Sequence, residues 1–156
     1  DAILSRGLGD VYKRQIAIAA HEVGHAIQDQ QGDKRLATRT KMAPIVDKVA
    51  RWSVAIIYLS PVIGIITRHP MPFSLLLLLG LSGFIARMML HALTLPIEFD
   101  ASFSKALPLL REGNYVSQSN EKAVSSILKA AALTYVSAAL ADILNLGRWF
   151  VILLRR

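Results

Sequence analysis

Cysteine is absent from the 156 residues, so the chain has neither a disulfide framework nor a thiolate metal site, and any metal must be held by histidine and carboxylate. Acid is scarce as well: 11 Asp and Glu stand against 18 Lys and Arg, a net charge of +7. Such an excess can mark a nucleic-acid partner, but aromatics are only 7% and are not interleaved with the basic residues, which argues against that class. There is no internal repeat, no low-complexity tract and no recognisable secretory signal. The chain opens on Asp1 rather than methionine, and the expectation is that sequence precedes it. Residues 1–15 carry no helical or strand period that continues into Ile16 and beyond; they read as a linker-derived, non-native segment outside the fold.

What the chain does have is apolar length. Hydrophobic residues make up 53% and the mean hydropathy is +0.42. They gather in runs at residues 52–66, 73–96 and 130–154. A bilayer takes about 20 apolar residues to cross, so the second run qualifies, and the first, interrupted by Pro61, is marginal. Lys34, Arg35, Arg39, Lys41, Lys48 and Arg51 crowd just before the first run, which places that stretch in the cytoplasm by the positive-inside rule. Residues 67–72, with Pro70 and Pro72, make a short connection, so residues 52–95 form an antiparallel transmembrane hairpin. A hairpin that leaves the cytoplasmic side at Arg51 returns there near Leu95. The third run is interrupted by Asp142, Asn145, Gly147 and Arg148 and reads either as one span or as two shorter pieces. One span would put Arg155 and Arg156 outside; a second, interfacial piece around Trp149 would keep them inside.

Chemistry concentrates at His21-Glu22-Val23-Gly24-His25. From Ile16 the pattern is helical and apolar nearly all round, and Gly32 ends the helix. Residues four apart share a helix face, so the two imidazoles can converge on one metal ion, with Glu22 beside them as general base. The plain alternative is a hydrogen-bonded polar cluster on a buried helix. A catalytic zinc wants a third protein ligand. Glu98 is the best candidate: Pro96 fits the first turn of a new helix that the hairpin returns to the same side of the membrane. It could equally be an acid facing water at that helix's positive end. Asp100, two positions on, is the rival ligand, or could orient a ligating imidazole from behind.

Arg87 and His91, four apart near the end of the second run, either line the site or snorkel to the interface. Tyr135 is an oxyanion candidate that nothing selects over a core tyrosine, and His69 lies in the short connecting loop. The chain then divides into 1–15, the suspect segment; 16–51, the HExxH helix and basic stretch; 52–95, the hairpin; 96–113, the helix with the third ligand; and 118–156, a C-terminal helix and membrane segment.

Three blocks carry a family resemblance: residues 18–28 (IAAHEVGHAIQ), 95–102 (LPIEFDAS) and 128–136 (LKAAALTYV). In this order they resemble the YugP-like family, neutral zinc metallopeptidases of bacterial membranes, over nearly everything after Gln15. The resemblance implies zinc at His21 and His25 and Glu22 as catalytic acid/base. Similarity to HtpX-type membrane proteases, with a later helix-borne glutamate, supports Glu98 as third ligand. That family can carry Asn where this chain has Asp100, which weakens Asp100 as a ligand. Its members resemble proteins with a further membrane helix and a small segment before the HExxH helix, so the expectation is a fragment carrying the metal site without the whole substrate cleft.

The expected protein is therefore all-α: an integral membrane helical protein with a zincin-like HExxH helix and a transmembrane hairpin. Its expected function is hydrolysis of peptide bonds by zinc-activated water, with Glu22 as base and His21, His25 and Glu98 as ligands. Its expected partners are the bilayer and a peptide or protein substrate, not nucleic acid, at the bacterial cell membrane with the metal on the cytoplasmic side. The rival functions are a metal-binding membrane sensor or transporter, which does not need Glu22 as a base, and a non-catalytic scaffold.

Overall fold

The computed structural model describes residues 2–154, with side chains described for 9–148 and 151. Asp1, Arg155, Arg156 and the side chain of Trp149 lie outside the described residues. All regular structure among the described residues is helical. Helix α1 spans Ala2–Gln30, α2 Lys34–Thr67, α3 Pro70–Phe99, a π-helical segment Asp100–Ala106, α4 Leu107–Glu112 and α5 Gln118–Leu154. Three helical stretches are long and apolar enough to cross a membrane: Lys34–Thr67, Pro70–Glu112 and Gln118–Arg148.

Helix α1 begins at Ala2, well before the periodic residues start at Ile16. Residues 10–15 lack an apolar stripe because most of them face solvent, not because they cannot be helical; Lys13 pairs with Asp10 one turn back at 3.2 Å. The helix stops where expected. Gly32 takes φ +68°, its N–H donates to the Asp29 carbonyl at 2.9 Å, and the Asp33 N–H reaches the Gln28 carbonyl at 3.0 Å. Those two bonds are a Schellman closure, which needs a left-handed residue that glycine adopts without strain. Asp33 then caps α2, accepting the Arg35 N–H at 2.8 Å.

Helix α2 absorbs the basic stretch as its first turns and runs through Pro44 and Pro61. The connection to α3 shrinks from the expected six residues to Arg68-His69, because Pro70 and Pro72 sit in the first turn of α3, where a missing N–H costs nothing. Arg68 takes the left-handed conformation at φ 53°. His69 accepts the Met71 N–H at 3.2 Å and so caps α3. Pro96 does not open a new helix, contrary to the expectation from its position: α3 continues through it to Phe99, so Glu98 is not at a positive helix end. Nor does Gly147 break α5, which runs from Gln118 to Leu154.

The chain forms two compact units, residues 1–37 with 94–134, and residues 38–93 with 135–156; the boundaries fall inside α2, α3 and α5. The first has an apolar core of Ala17, Ala20, Ala106, Leu107, Leu110, Val124 and Leu128. In the second, Val46, Ala50, Ser53, Ile57 and Ser60 form the buried stripe of α2. Gly80 and Gly83 of α3 lie against it: a Cβ at Gly80 would run into Ile57 and come within 3.1 Å of the Ser53 carbonyl, and one at Gly83 would strike the Ser53 side chain. Small residues at these positions let two helices approach closely without a polar driving force. The outward faces are apolar, with Trp52 71%, Ile65 70% and Leu144 72% exposed.

The second unit also holds a polar cluster. Asp142 of α5 is buried, with Oδ2 3.5 Å from both Arg87 Nε and His91 Nε2 of α3. The Arg39 guanidinium of α2 donates to the Tyr135 hydroxyl at 3.1 Å. Arg87 and His91 thus have a partner on another helix, which their own spacing does not reveal.

Candidate metal centre

His21, Glu22 and His25 lie on consecutive turns of α1, in the first unit. Apposed to that face is the end of α3 and the π-helical segment. Gly24 makes the approach possible: a Cβ there would overlap the Ala101 carbonyl oxygen and sit 3.0 Å from its carbon. Between the two histidines the helix therefore presents bare backbone, and the opposing backbone fills the space. The π turn ends with the Leu107 N–H donating to the Ser102 carbonyl, five residues back. Pro108 follows at the start of α4.

The result is a convergence of donors. Glu98 Oε2 lies 3.1 Å from His21 Nε2 and 3.4 Å from His25 Nε2, with the glutamate side chain only 5% exposed. The donor atoms of His21, His25 and Glu98 all lie within 4.8 Å of one another. Tetrahedral zinc bonds of about 2.0–2.1 Å put neighbouring donors about 3.3–3.4 Å apart, so two imidazole nitrogens and a carboxylate at these separations fit such an ion. A buried carboxylate facing two imidazoles needs a cation or a proton beside it. Without metal, that need shows on His25, whose imidazole is held above its ordinary value by its hydrogen bond to Glu98, against the opposing effect of burial.

Behind the donor atoms, each imidazole is held by its other nitrogen. His21 Nδ1 is 3.0 Å from the hydroxyl of Ser102, which is fully buried. His25 Nδ1 is 2.9 Å from Gln28 Oε1. Gln28 Nε2 donates to the Ile97 carbonyl at 2.9 Å and to Asp100 Oδ2 at 2.8 Å. Asp100 is also 3.3 Å from Lys105 Nζ. Of the two acids left open by the sequence, Glu98 joins the histidines and Asp100 sits one residue behind them, acting through Gln28. Gln28 and Ser102 are not among the residues that spacing singles out. Gln28 carries a signal all the same, since it is one turn beyond His25 at the end of a stretch, Ile16 to Ile27, whose other polar residues are the motif's own. Ser102 carries none, being placed by the π register.

Glu22 is exposed, one residue along α1 from His21, and close enough that its charge adds to the upward pull on His25. Arg87, His91 and Tyr135 belong to the second unit.

The family described as "Putative neutral zinc metallopeptidase" matches residues 11–154. The "Putative membrane protease YugP" of Bacillus subtilis (strain 168) is 34% identical over 139 residues, which are 89% of this chain and 58% of that protein. This chain therefore spans a little over half the length of that relative. No solved structure matches the chain. With most of its length matched, from residue 11 within α1, ahead of the HExxH motif, to the end of α5, the chain belongs to the "Putative neutral zinc metallopeptidase" family.

Proposed function

We propose that the chain carries the zinc site of a membrane-embedded metallopeptidase. The observation that carries this is the convergence of His21, His25 and Glu98 around a point where a cation satisfies a buried carboxylate. A zinc ion held there supplies a Lewis acid and a water activated near neutral pH. The chain's own residues do the rest. His21, His25 and Glu98 hold the ion, Ser102 and Gln28 orient the imidazoles, and Glu22, open to solvent, takes up the proton and returns it to the leaving amine.

The three long apolar helices and their exposed aliphatic faces support insertion in a bacterial membrane. The cluster of Lys34, Arg35, Arg39, Lys41, Lys48 and Arg51 favours the cytoplasm for the stretch between the HExxH helix and the hairpin, and hence for the site. Substrates would be peptide bonds in membrane-associated or misfolded proteins.

Zinc per chain in detergent-purified protein is the first test. The expected result is one zinc for the wild type, lost in His21→Ala and in Glu98→Ala and kept in Asp100→Ala. Glu22→Gln should keep zinc and lose proteolysis of an unfolded substrate such as casein. Full proteolysis by Glu22→Gln would remove the mechanism and favour a sensor or transporter. No zinc in the wild type would favour a scaffold.

A further inference from the structure

The buried amide of Gln28 fixes which nitrogen of His25 carries the proton. Gln28 is fully buried, and its Nε2 is directed at two atoms, the Ile97 carbonyl oxygen at 2.9 Å and Asp100 Oδ2 at 2.8 Å. A backbone carbonyl and a carboxylate only accept, so both must be met by the NH2 side of the amide. Both amide hydrogens are thereby used, and the amide cannot turn over without facing oxygen to oxygen twice. The lysine at Asp100, 3.3 Å away through Lys105 Nζ, favours the charged, acceptor-only carboxylate. What remains for His25 is Gln28 Oε1, an acceptor, at 2.9 Å from Nδ1. Glu98 Oε2 also faces the ring, at Nε2, but at 3.4 Å it is beyond ordinary hydrogen-bond length, whereas the Nδ1 contact is 2.9 Å; the shorter bond keeps the neutral ring's hydrogen at Nδ1 and leaves the lone pair at Nε2.

We propose that Gln28 is a positioning residue that selects the metal-binding tautomer of His25, with Ile97 and Asp100 setting the sense of its amide. The proposal rests on reading His21, His25 and Glu98 as a metal site. The two histidines are then controlled unequally. Ser102 both donates and accepts through its hydroxyl, so it steadies the His21 ring without dictating its tautomer. His25 is locked before any ion arrives, and His21 adjusts when one does.

The experiment is nitrogen NMR on metal-free, 15N-histidine-labelled protein in detergent, at a pH where His25 is neutral, alongside zinc affinity by chelator competition. Wild-type His25 should show a protonated, pyrrole-type signal at Nδ1 and an unprotonated, pyridine-type signal at Nε2. Gln28→Met keeps side-chain length and removes the acceptor; it should mix the tautomers and weaken zinc about 10–100-fold. The mixing of tautomers is a signature that loss of packing alone would not produce, because it reads which ring nitrogen holds the hydrogen rather than how tightly the ring is held.

A wild-type His25 protonated at Nε2 when neutral would overturn the proposal without any variant. So would a folded Gln28→Met protein with unchanged tautomer and zinc affinity. If the wild type has the Nδ1-protonated ring, and Gln28→Met scrambles it, yet neither binds zinc, the tautomer selection stands and the metal reading falls.

Discussion

At the scale of single residues, Gly24 is the most constrained position in the centre. A side chain there has to displace the backbone of Ala101, and backbone in a helix does not yield locally. Gly24→Ala should therefore push α1 from the π-helical segment, parting His21 and His25 from Glu98 and Ser102. Zinc binding should fall at least 10-fold while far-UV circular dichroism still reports helix; unchanged affinity would mean the close approach is not needed. Asp33 supports a second expectation. Its carboxyl is lowered from 3.8 to about 2 by the hydrogen bond from the Arg35 side chain, and it caps α2 through the Arg35 N–H. Asp33→Ala should cost about 1 kcal/mol. Because the folded value lies below the unfolded one, the charged form's contribution is complete above about pH 4 and disappears as the pH falls through about 2. The stability difference between wild type and Asp33→Asn, followed by denaturant unfolding against pH, should close over that window and stay flat from pH 5 to 7. That the two histidines could converge was legible from type and spacing, since residues four apart share a helix face. The role of Gly24 was not: a helical glycine says nothing until the opposing backbone is in place.

At the scale of elements, the hairpin was legible and its details were not. Apolar runs on either side of Pro70 and Pro72 called for an antiparallel pair, and the glycines and serines that seat one helix on the other lie inside those runs. Gly83→Leu should meet the Ser53 side chain and destabilise the α2–α3 pair by about 1–3 kcal/mol, measured by unfolding in mixed micelles. Asp142 ties α3 to α5 through Arg87 and His91, and Asp142→Ala should cost about 1–2 kcal/mol in the same assay, the scale of interhelical polar contacts in membranes. A cost near zero would mean that the 3.5 Å separations carry no net attraction. Proline misled at Pro96. Taken as a first-turn residue it starts a helix at 96, but inside a long apolar helix it removes one bond and the remaining turns hold. The irregularity came four residues later, in the π turn at Asp100–Ala106, and hydrophobic periodicity contains no signal for a single widened turn.

For the molecule as a whole, the order of the chain makes the centre a long-range closure. His21 and His25 lie on α1 and Glu98 at the end of α3, so all of α2 and nearly all of α3 intervene between the ligands. In the unfolded chain the two histidines stay near each other, but Glu98 is remote, and the three-donor set exists only when the end of α3 returns to α1. An ion that binds all three therefore binds the folded state almost exclusively and stabilises it by mass action. Closing a long loop also costs little more entropy than closing a short one, so the distance along the chain does not defeat the effect. Free zinc at about 100 times the dissociation constant should add about 2.7 kcal/mol to the unfolding free energy. Thermal unfolding in detergent, monitored by far-UV circular dichroism, should move upward with zinc and return on chelation. In Glu98→Ala, zinc can still meet the histidine pair, which the unfolded chain also offers, so the shift should shrink to a small fraction of the wild-type value. An equal shift in both proteins would mean that zinc acts through the histidine pair alone, and that the meeting of Glu98 with α1 is a packing contact.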